Sequence, residues 1–219
     1  MRKINIAFLC IILVAFAIGF YIYPQMPDLI ASHWNINGEV DGYMPKFWGI
    51  FLMPFISLGL FALFVAIPRI DPLKANVKKF RKYFDIFIIV MLMFLLYIYL
   101  LTIFWTFGFR FDMILFLTPA FSILFYYCGI LTEHSERNWF IGIRTPWTMS
   151  SDLVWKKTHK LGGKLFKAVA IITLIGVIVP QYAIFLLLVP IIAAVAYTFY
   201  YSYSEYQKEM KNRSIHKIK

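Results

Sequence analysis

Ile86-Phe-Ile-Ile-Val-Met-Leu-Met-Phe-Leu-Leu-Tyr-Ile-Tyr-Leu-Leu-Thr-Ile-Phe-Trp-Thr-Phe107 contains no charged side chain. Crossing a hydrocarbon core of about 30 Å takes about 20 apolar residues, and a backbone without water must satisfy its own N–H and C=O groups, which a helix does. The run therefore reads as a membrane-spanning helix. Five others share its character: Ile4 to Tyr23, Phe47 to Pro68, Met113 to Thr132, Leu161 to Val179 and Tyr182 to Tyr203. The expected fold is an all-α polytopic bundle of six transmembrane helices. Residues 1–68 would form a two-span N-terminal unit, and residues 69–219 a four-span unit.

Composition agrees. The chain of 219 residues is 61% hydrophobic and 15% charged, against an apolar share of about 45–50% in soluble domains. The first run follows Met1-Arg2-Lys3 but exceeds the 7–15 apolar residues of a signal peptide and lacks a small-x-small cleavage site, so it reads as a retained helix. A net charge of +11 suggests nucleic acid in a soluble protein, but here the cations sit between apolar runs and orient the chain instead. With the N-terminus inside, 20 of the 22 Lys and Arg residues fall on the inner side, leaving Lys46 and Arg110 outside. A multi-pass protein of the cell membrane with both termini cytoplasmic is expected. Tyr197, Tyr200, Tyr201, Tyr203 and Tyr206 would mark the inner boundary, and Tyr21, Tyr23, Trp48 and Trp105 the outer one.

No run carries an ionisable residue near its centre, which argues against a proton pump or an intramembrane protease. Pro54, Pro119 and Pro190 interrupt three runs and read as packing features. Cys10 and Cys128 lie in apolar runs with no partner motif, so neither a disulfide nor a zinc site is indicated.

Two polar segments remain. Between the first two runs, residues 24–46 form an outer loop in which Asn37-Gly38 is a hairpin-turn pair and Asp41-Gly42 a second turn signal. His33, Glu39 and Asp41 lack any recognised metal-ligand spacing, and His33, Trp34, Gly38, Asp41 and Lys46 are the candidate outer ligand-facing residues. On the inner side, Arg69, Lys74, Lys78, Lys79, Arg81 and Lys82 crowd one loop, where orientation and attraction to anionic lipid explain them.

The second polar segment, residues 133–160, holds Trp139, Trp147 and Trp155 around Arg144-Thr145-Pro146. Ser150 or Ser151 would cap an amphipathic interfacial helix with Asp152 in its first turn. That helix sets Asp152, Trp155 and His159 on one face, with Lys156, Lys157 and Lys160 beside them and Gly162-Gly163 bending into the next span. A histidine near Asp, Ser and Thr invites a catalytic reading. Capping and anchoring account for these side chains, however, and no Gly-x-Ser-x-Gly, His-Glu-x-x-His or phosphate-binding glycine loop is present, so no enzymatic activity and no cofactor is expected.

Asn138-Trp139-Phe140-Ile141-Gly142-Ile143-Arg144-Thr145-Pro146-Trp147-Thr148, followed by Ser151, Val154-Trp155 and His159, resembles the signature of the SdpI family, named for an immunity protein against a sporulation-delaying peptide toxin. Pro27, Ile30, His33-Trp34, Gly38, Asp41-Gly42 and Pro45-Lys46 resemble the domain of unknown function that forms the N-terminal half of many members. The resemblance implies a multispanning protein that protects its host from a secreted membrane-active peptide. It also implies a receptor that holds a small DNA-binding repressor at the bilayer, with no direct nucleic-acid contact of its own. Asn138, Gly142, Arg144, Thr145, Pro146, Trp147, Thr148, Trp155 and His159 are the candidate inner partner-binding residues, with Arg144 as a donor fork. Two other functions compete: a small transporter or exporter of peptide or lipid without ATP drive, and a structural envelope factor.

Overall fold

The computed structural model describes residues 3–36 and 38–218, with side chains for 4–36 and 38–214. Arg2 and Lys219, counted above among the inner cations, lie outside the described residues, as does Asn37 of the expected turn. The elements run α1 (Lys3–Ile22), β1 (Leu29–Trp34), β2 (Val40–Pro45), α2 (Lys46–Ile70), α3 (Lys74–Lys79), α4 (Arg81–Thr106), α5 (Met113–His134), α6 (Pro146–Ser150), α7 (Asp152–Ile175) and α8 (Ala183–Ile218).

Among the described residues, five helical stretches are long and apolar enough to cross a membrane: Ile4–Gln25, Lys46–Ile70, Arg81–Thr106, Met113–His134 and Pro180–Ser214. The chain is thus a multi-pass membrane protein of helical build. At about 1.5 Å per residue, α4 reaches about 39 Å, enough for the hydrocarbon and part of the interface. The expected span from Leu161 is not among these five: the expected interfacial helix and the run after it form a single helix, α7, whose first half is polar and whose apolar run carries Lys164 and Lys167 and ends at Ile175.

Gly162-Gly163 does not interrupt that helix. Both glycines are buried within it, where a Cβ on Gly162 would overlap Ile143 and one on Gly163 would overlap Glu133. Their role is close approach. A Cβ at Gly129 would lie 2.7 Å from the Gly163 carbonyl oxygen, so α5 and α7 meet backbone to backbone. Farther along the pair, Ser122 Oγ donates to the Ala170 carbonyl at 2.8 Å, which fixes the two helices antiparallel. Pro190 has no N–H to offer the Leu186 carbonyl one turn earlier, and Thr173 Oγ1 of α7 donates to that carbonyl at 3.4 Å.

The core has two layers. One joins Phe8 and Ile12 of α1, Phe64 and Ile67 of α2, Val77 of α3, Phe84, Ile88 and Leu92 of α4, and Leu131 of α5 with Ile141 from the loop after α5. The other joins Ala15, Ile22, Ile50, Phe51, Tyr99 and Ile103 with Met26 and Ile30 from the outer loop. Each polar segment is therefore pinned to the bundle by a buried isoleucine. Gly49 of α2 leaves the room that Ile30 fills.

The outer loop is an antiparallel hairpin with longer strands than the turn signals imply, pairing Leu29 with Pro45 and Trp34 with Val40. Gly38 takes φ +76°, the left-handed conformation a tight turn requires. Asp41-Gly42 forms no second turn. It lies inside β2, where the register shifts between Ala31 and Trp34, and Gly42 pairs with His33 because a Cβ there would sit 2.9 Å from the His33 Cβ.

Candidate functional site

The loop from Ser135 to Thr145 closes on itself around Asn138, whose side chain is fully buried. Its Oδ1 accepts the N–H groups of Phe140 at 2.9 Å and Ile141 at 2.7 Å. Its Nδ2 donates to the carbonyls of Glu136 at 2.8 Å and Ile141 at 2.9 Å. One amide thereby satisfies four backbone groups that burial would otherwise orphan.

Gly142 comes next, at φ +111°, and a Cβ there would run into Nε2 of His159. That nitrogen accepts the Ile143 N–H at 2.9 Å, which leaves Nδ1 to carry the proton and donate to the Trp155 carbonyl at 2.8 Å. His159 is 1% exposed, and burial pushes it down to about 4 from 6.5, outweighing the upward pull of the Trp155 carbonyl. It is a neutral imidazole with both nitrogens committed, and none is free to act as a base. Trp155 stacks on it with ring centroids 3.8 Å apart, and its Nε1 donates to the Ser135 carbonyl at 2.8 Å.

The Thr145–Thr148 turn is a capping box for α6: Thr145 Oγ1 accepts the Thr148 N–H at 3.2 Å, and Thr148 Oγ1 accepts the Thr145 N–H at 2.9 Å. Thr145 also reaches α8, its Oγ1 lying 3.0 Å from Ser202 Oγ. Trp147 sits edge-on between Phe199 and Tyr203, each ring centroid 5.1 Å away. Ser151, not Ser150, caps α7 by accepting the Val154 N–H, and its Oγ donates to Glu209 Oε2 at 2.5 Å. Asp152 in the first turn pairs with Arg137 at 2.9 Å, and Lys157 pairs with Glu205 at 2.7 Å.

The basic inner loop carries one residue that sequence reasoning missed. Asp71 is 1% exposed, and its carboxylate accepts the Leu73 N–H at 2.6 Å and the Trp139 N–H at 3.0 Å. Close by, Asn76 Nδ2 donates to the Arg137 carbonyl at 2.8 Å. Asp71 is a lone Asp among six cations, and nothing local in the sequence points to a partner 68 positions away.

The candidate inner residues thus divide. Asn138, Thr145, Thr148, Trp155 and His159 are buried and build the platform. Gly142, Arg144 and Pro146 are exposed and Trp147 is half-buried, so these form its accessible edge. Arg144 is held by its own loop, since Nη1 donates to the Trp139 carbonyl.

The outer candidates divide similarly. His33 Nδ1 and Asp41 Oδ1 lie 2.5 Å apart across the hairpin, both exposed. Trp34 turns toward the bundle, edge-on to Trp105 at 5.7 Å, and the Arg110 guanidinium lies 3.8 Å from the Trp105 ring centroid. Lys46 starts α2 with its Nζ 4.9 Å from the Tyr23 ring centroid. Among the described residues no group of three or more His, Cys, Asp or Glu side chains is arranged to hold a metal ion.

Residues 10–58, spanning most of α1, the hairpin and half of α2, match a domain of unknown function, DUF1648. Residues 135–202, from the Asn138 loop through most of α8, match the SdpI/YfhL protein family. Over 207 residues, 94% of this chain and 97% of the relative, the sequence is 24% identical to Immunity protein SdpI of Bacillus subtilis (strain 168). No solved structure matches the chain. The two matched segments hold the outer hairpin and the inner platform, the two polar structures of the bundle, and it is the segment with the inner platform that matches the SdpI/YfhL protein family.

Proposed function

We propose that the chain is a six-span immunity protein, with both termini in the cytoplasm, that protects its cell against a secreted membrane-active peptide. The observation that carries this reading is the end-to-end likeness to an immunity protein, which takes in both polar structures. The sixth span is α7 from Leu161. The Ser122–Ala170 and Gly129–Gly163 contacts run it alongside α5, and the Lys167–Glu133 pair at 2.5 Å neutralises a charge near its polar end. The N-in, C-in orientation rests on the basic residues, which bias a loop toward the cytoplasm. The inner loop from Arg69, the Asn138 loop and the end of α8 touch one another through Asp71–Trp139 and Ser151–Glu209.

In this reading the hairpin and its His33–Asp41 pair face the toxin or envelope signal. The exposed edge of the inner platform, Arg144, Pro146 and Trp147, meets a cytoplasmic partner, a small DNA-binding repressor held at the membrane. Such a signal requires the ligand to bind one arrangement of the bundle better than the other.

The test is expression in a host sensitive to a secreted membrane-active peptide, followed by challenge. Survival above the empty-vector control is expected, and no protection at normal membrane levels of the protein would overturn the immunity reading. Pull-down with small DNA-binding proteins encoded beside it tests sequestration. Arg144→Ala and Trp147→Ala are expected to release such a partner, and its retention by both would remove the inner platform from that role.

A further inference from the structure

The roof of the inner platform covers a groove of about 470 Å³ that is apolar except at one end. Leu63 and Phe64 of α2, Phe84 of α4, Leu131 of α5 and Phe166 of α7 line it, and Phe140 and Arg144 of the Asn138 loop close its polar end. Its volume falls in the range of about 300–1,000 Å³ typical of small-molecule sites.

Arg144 gives the groove its chemistry. One guanidinium nitrogen is tied to the Trp139 carbonyl, which aims the group, and among the described residues no carboxylate pairs with it. The other acid–base pairs of this end, Arg137 with Asp152, Lys157 with Glu205 and Arg213 with Glu209, are each satisfied. An unpaired, aimed guanidinium presents a planar fork of donors that suits a phosphate. An apolar groove that ends at such a fork has the polarity of an anionic amphiphile: chain in the groove, phosphate at the mouth.

We propose that this groove is a binding site for an anionic phospholipid, one acyl chain lying along Phe64, Phe84 and Phe166 and the phosphate on Arg144. Its occupant ties the loop of the inner platform to α2, so the site couples the N-terminal helices to the segment matched by the SdpI/YfhL family. The proposal stands apart from immunity, because lipid retention is read without any toxin.

The experiment is native mass spectrometry of the full chain, stripped of lipid in detergent and titrated with phosphatidylglycerol or phosphatidylcholine. One tightly held phosphatidylglycerol is expected, at least tenfold preferred over phosphatidylcholine. Arg144→Gln should abolish the preference, and Arg144→Lys should keep much of it. Leu63→Trp, at a position 45% exposed and so tolerant of bulk, should fill the groove and weaken both lipids. Equal retention of the two lipids by the unaltered chain, a preference that survives Arg144→Gln, or retention of both lipids unchanged by Leu63→Trp would each overturn the site.

Discussion

Nε2 of His159 accepts the backbone N–H of Ile143 at 2.9 Å, and through that bond α7 holds the Gly142 loop in place. The acceptor exists only while the imidazole is neutral. Protonation would turn Nε2 into a donor facing a donor, inside a site from which water is excluded.

A pH dependence follows. Folding depresses the group from 6.5 to about 4, so between those values the unfolded chain binds more protons than the folded one, and stability rises with pH. The contribution is complete above pH 6.5 and is lost as pH falls toward 4. At about 1.4 kcal/mol per pH unit it amounts to about 3 kcal/mol. Thermal unfolding in detergent, followed by tryptophan fluorescence, should show a midpoint that drops across this window. His159→Gln, which cannot take up a proton, should show a shallower drop, and parallel curves would remove His159 as the cause.

Gly142→Ala should damage the same contact from the other side. The new Cβ collides with His159 Nε2 and the backbone sits at φ +111°, a conformation costing a non-glycine residue about 1–3 kcal/mol before any clash. Gly59→Ala is the matched control, because nothing lies within 4 Å of a Cβ there and the position is helical. The expected result is a lower melting midpoint for Gly142→Ala and an unchanged or slightly raised one for Gly59→Ala. Equal midpoints would show that the loop yields to the methyl group.

Asp71→Ala should loosen the loop from outside its own sequence. Two part-buried N–H groups, of Leu73 and Trp139, would lose their acceptor, at about 1 kcal/mol each. Trypsin treatment of the detergent-solubilised protein should then cut faster at Arg137 and Arg144, whereas cleavage at Lys46, at the hairpin end, should be unchanged. Unaltered rates at both arginines would mean that the Asn138 hydrogen bonds hold the loop unaided.

These contacts mark what a sequence displays and what it hides. The apolar runs announce helices because hydrocarbon tolerates little else, and Gly38 announces the hairpin because a tight turn selects glycine. Ser151 and Asp152 mark the start of α7 by the local chemistry of a helix end. The Gly162-Gly163 pair misleads, since glycine serves flexibility and close approach alike, and only the neighbouring Gly129 decides between them. Asp71 and Ser202 are silent because their partners, Trp139 and Thr145, lie 68 and 57 positions away. The family resemblance located the inner segment, but only packing separates its buried scaffold of Asn138 and His159 from its accessible edge at Arg144.

Thr145 and Ser202 should behave as a coupled pair. Their hydroxyls lie 3.0 Å apart in a buried site between the α6 cap and α8. Thr145→Val also removes the cap, worth about 1 kcal/mol, so only a double-mutant cycle with Ser202→Ala isolates the bridge. The expected coupling is about 0.5–1.5 kcal/mol. Strict additivity would mean that α8 is held to the loop by Trp147 against Phe199 and Tyr203 alone.

The crossing of α7 is open to direct measurement, because the five-helix and six-helix arrangements differ in where the α7–α8 turn lies. Ile178 in that turn is 81% exposed. If α7 crosses from Leu161, Ile178 is on the side of the hairpin; if it does not, Ile178 shares a side with Ser150. In a chain with Cys10 and Cys128 replaced by serine, single cysteines at Glu39, Ser150 and Ile178 can be labelled in intact cells with a membrane-impermeant maleimide. Labelling at 39 and 178 but not at 150 is expected. Labelling at 150 alone would invert the topology, and labelling at 39 alone would leave α7 a surface helix and reduce the spans to five. The Lys167–Glu133 pair argues for the first outcome, since Lys167, about two helical turns into its apolar run, lowers its cost of entering the membrane by pairing with Glu133 at the end of α5.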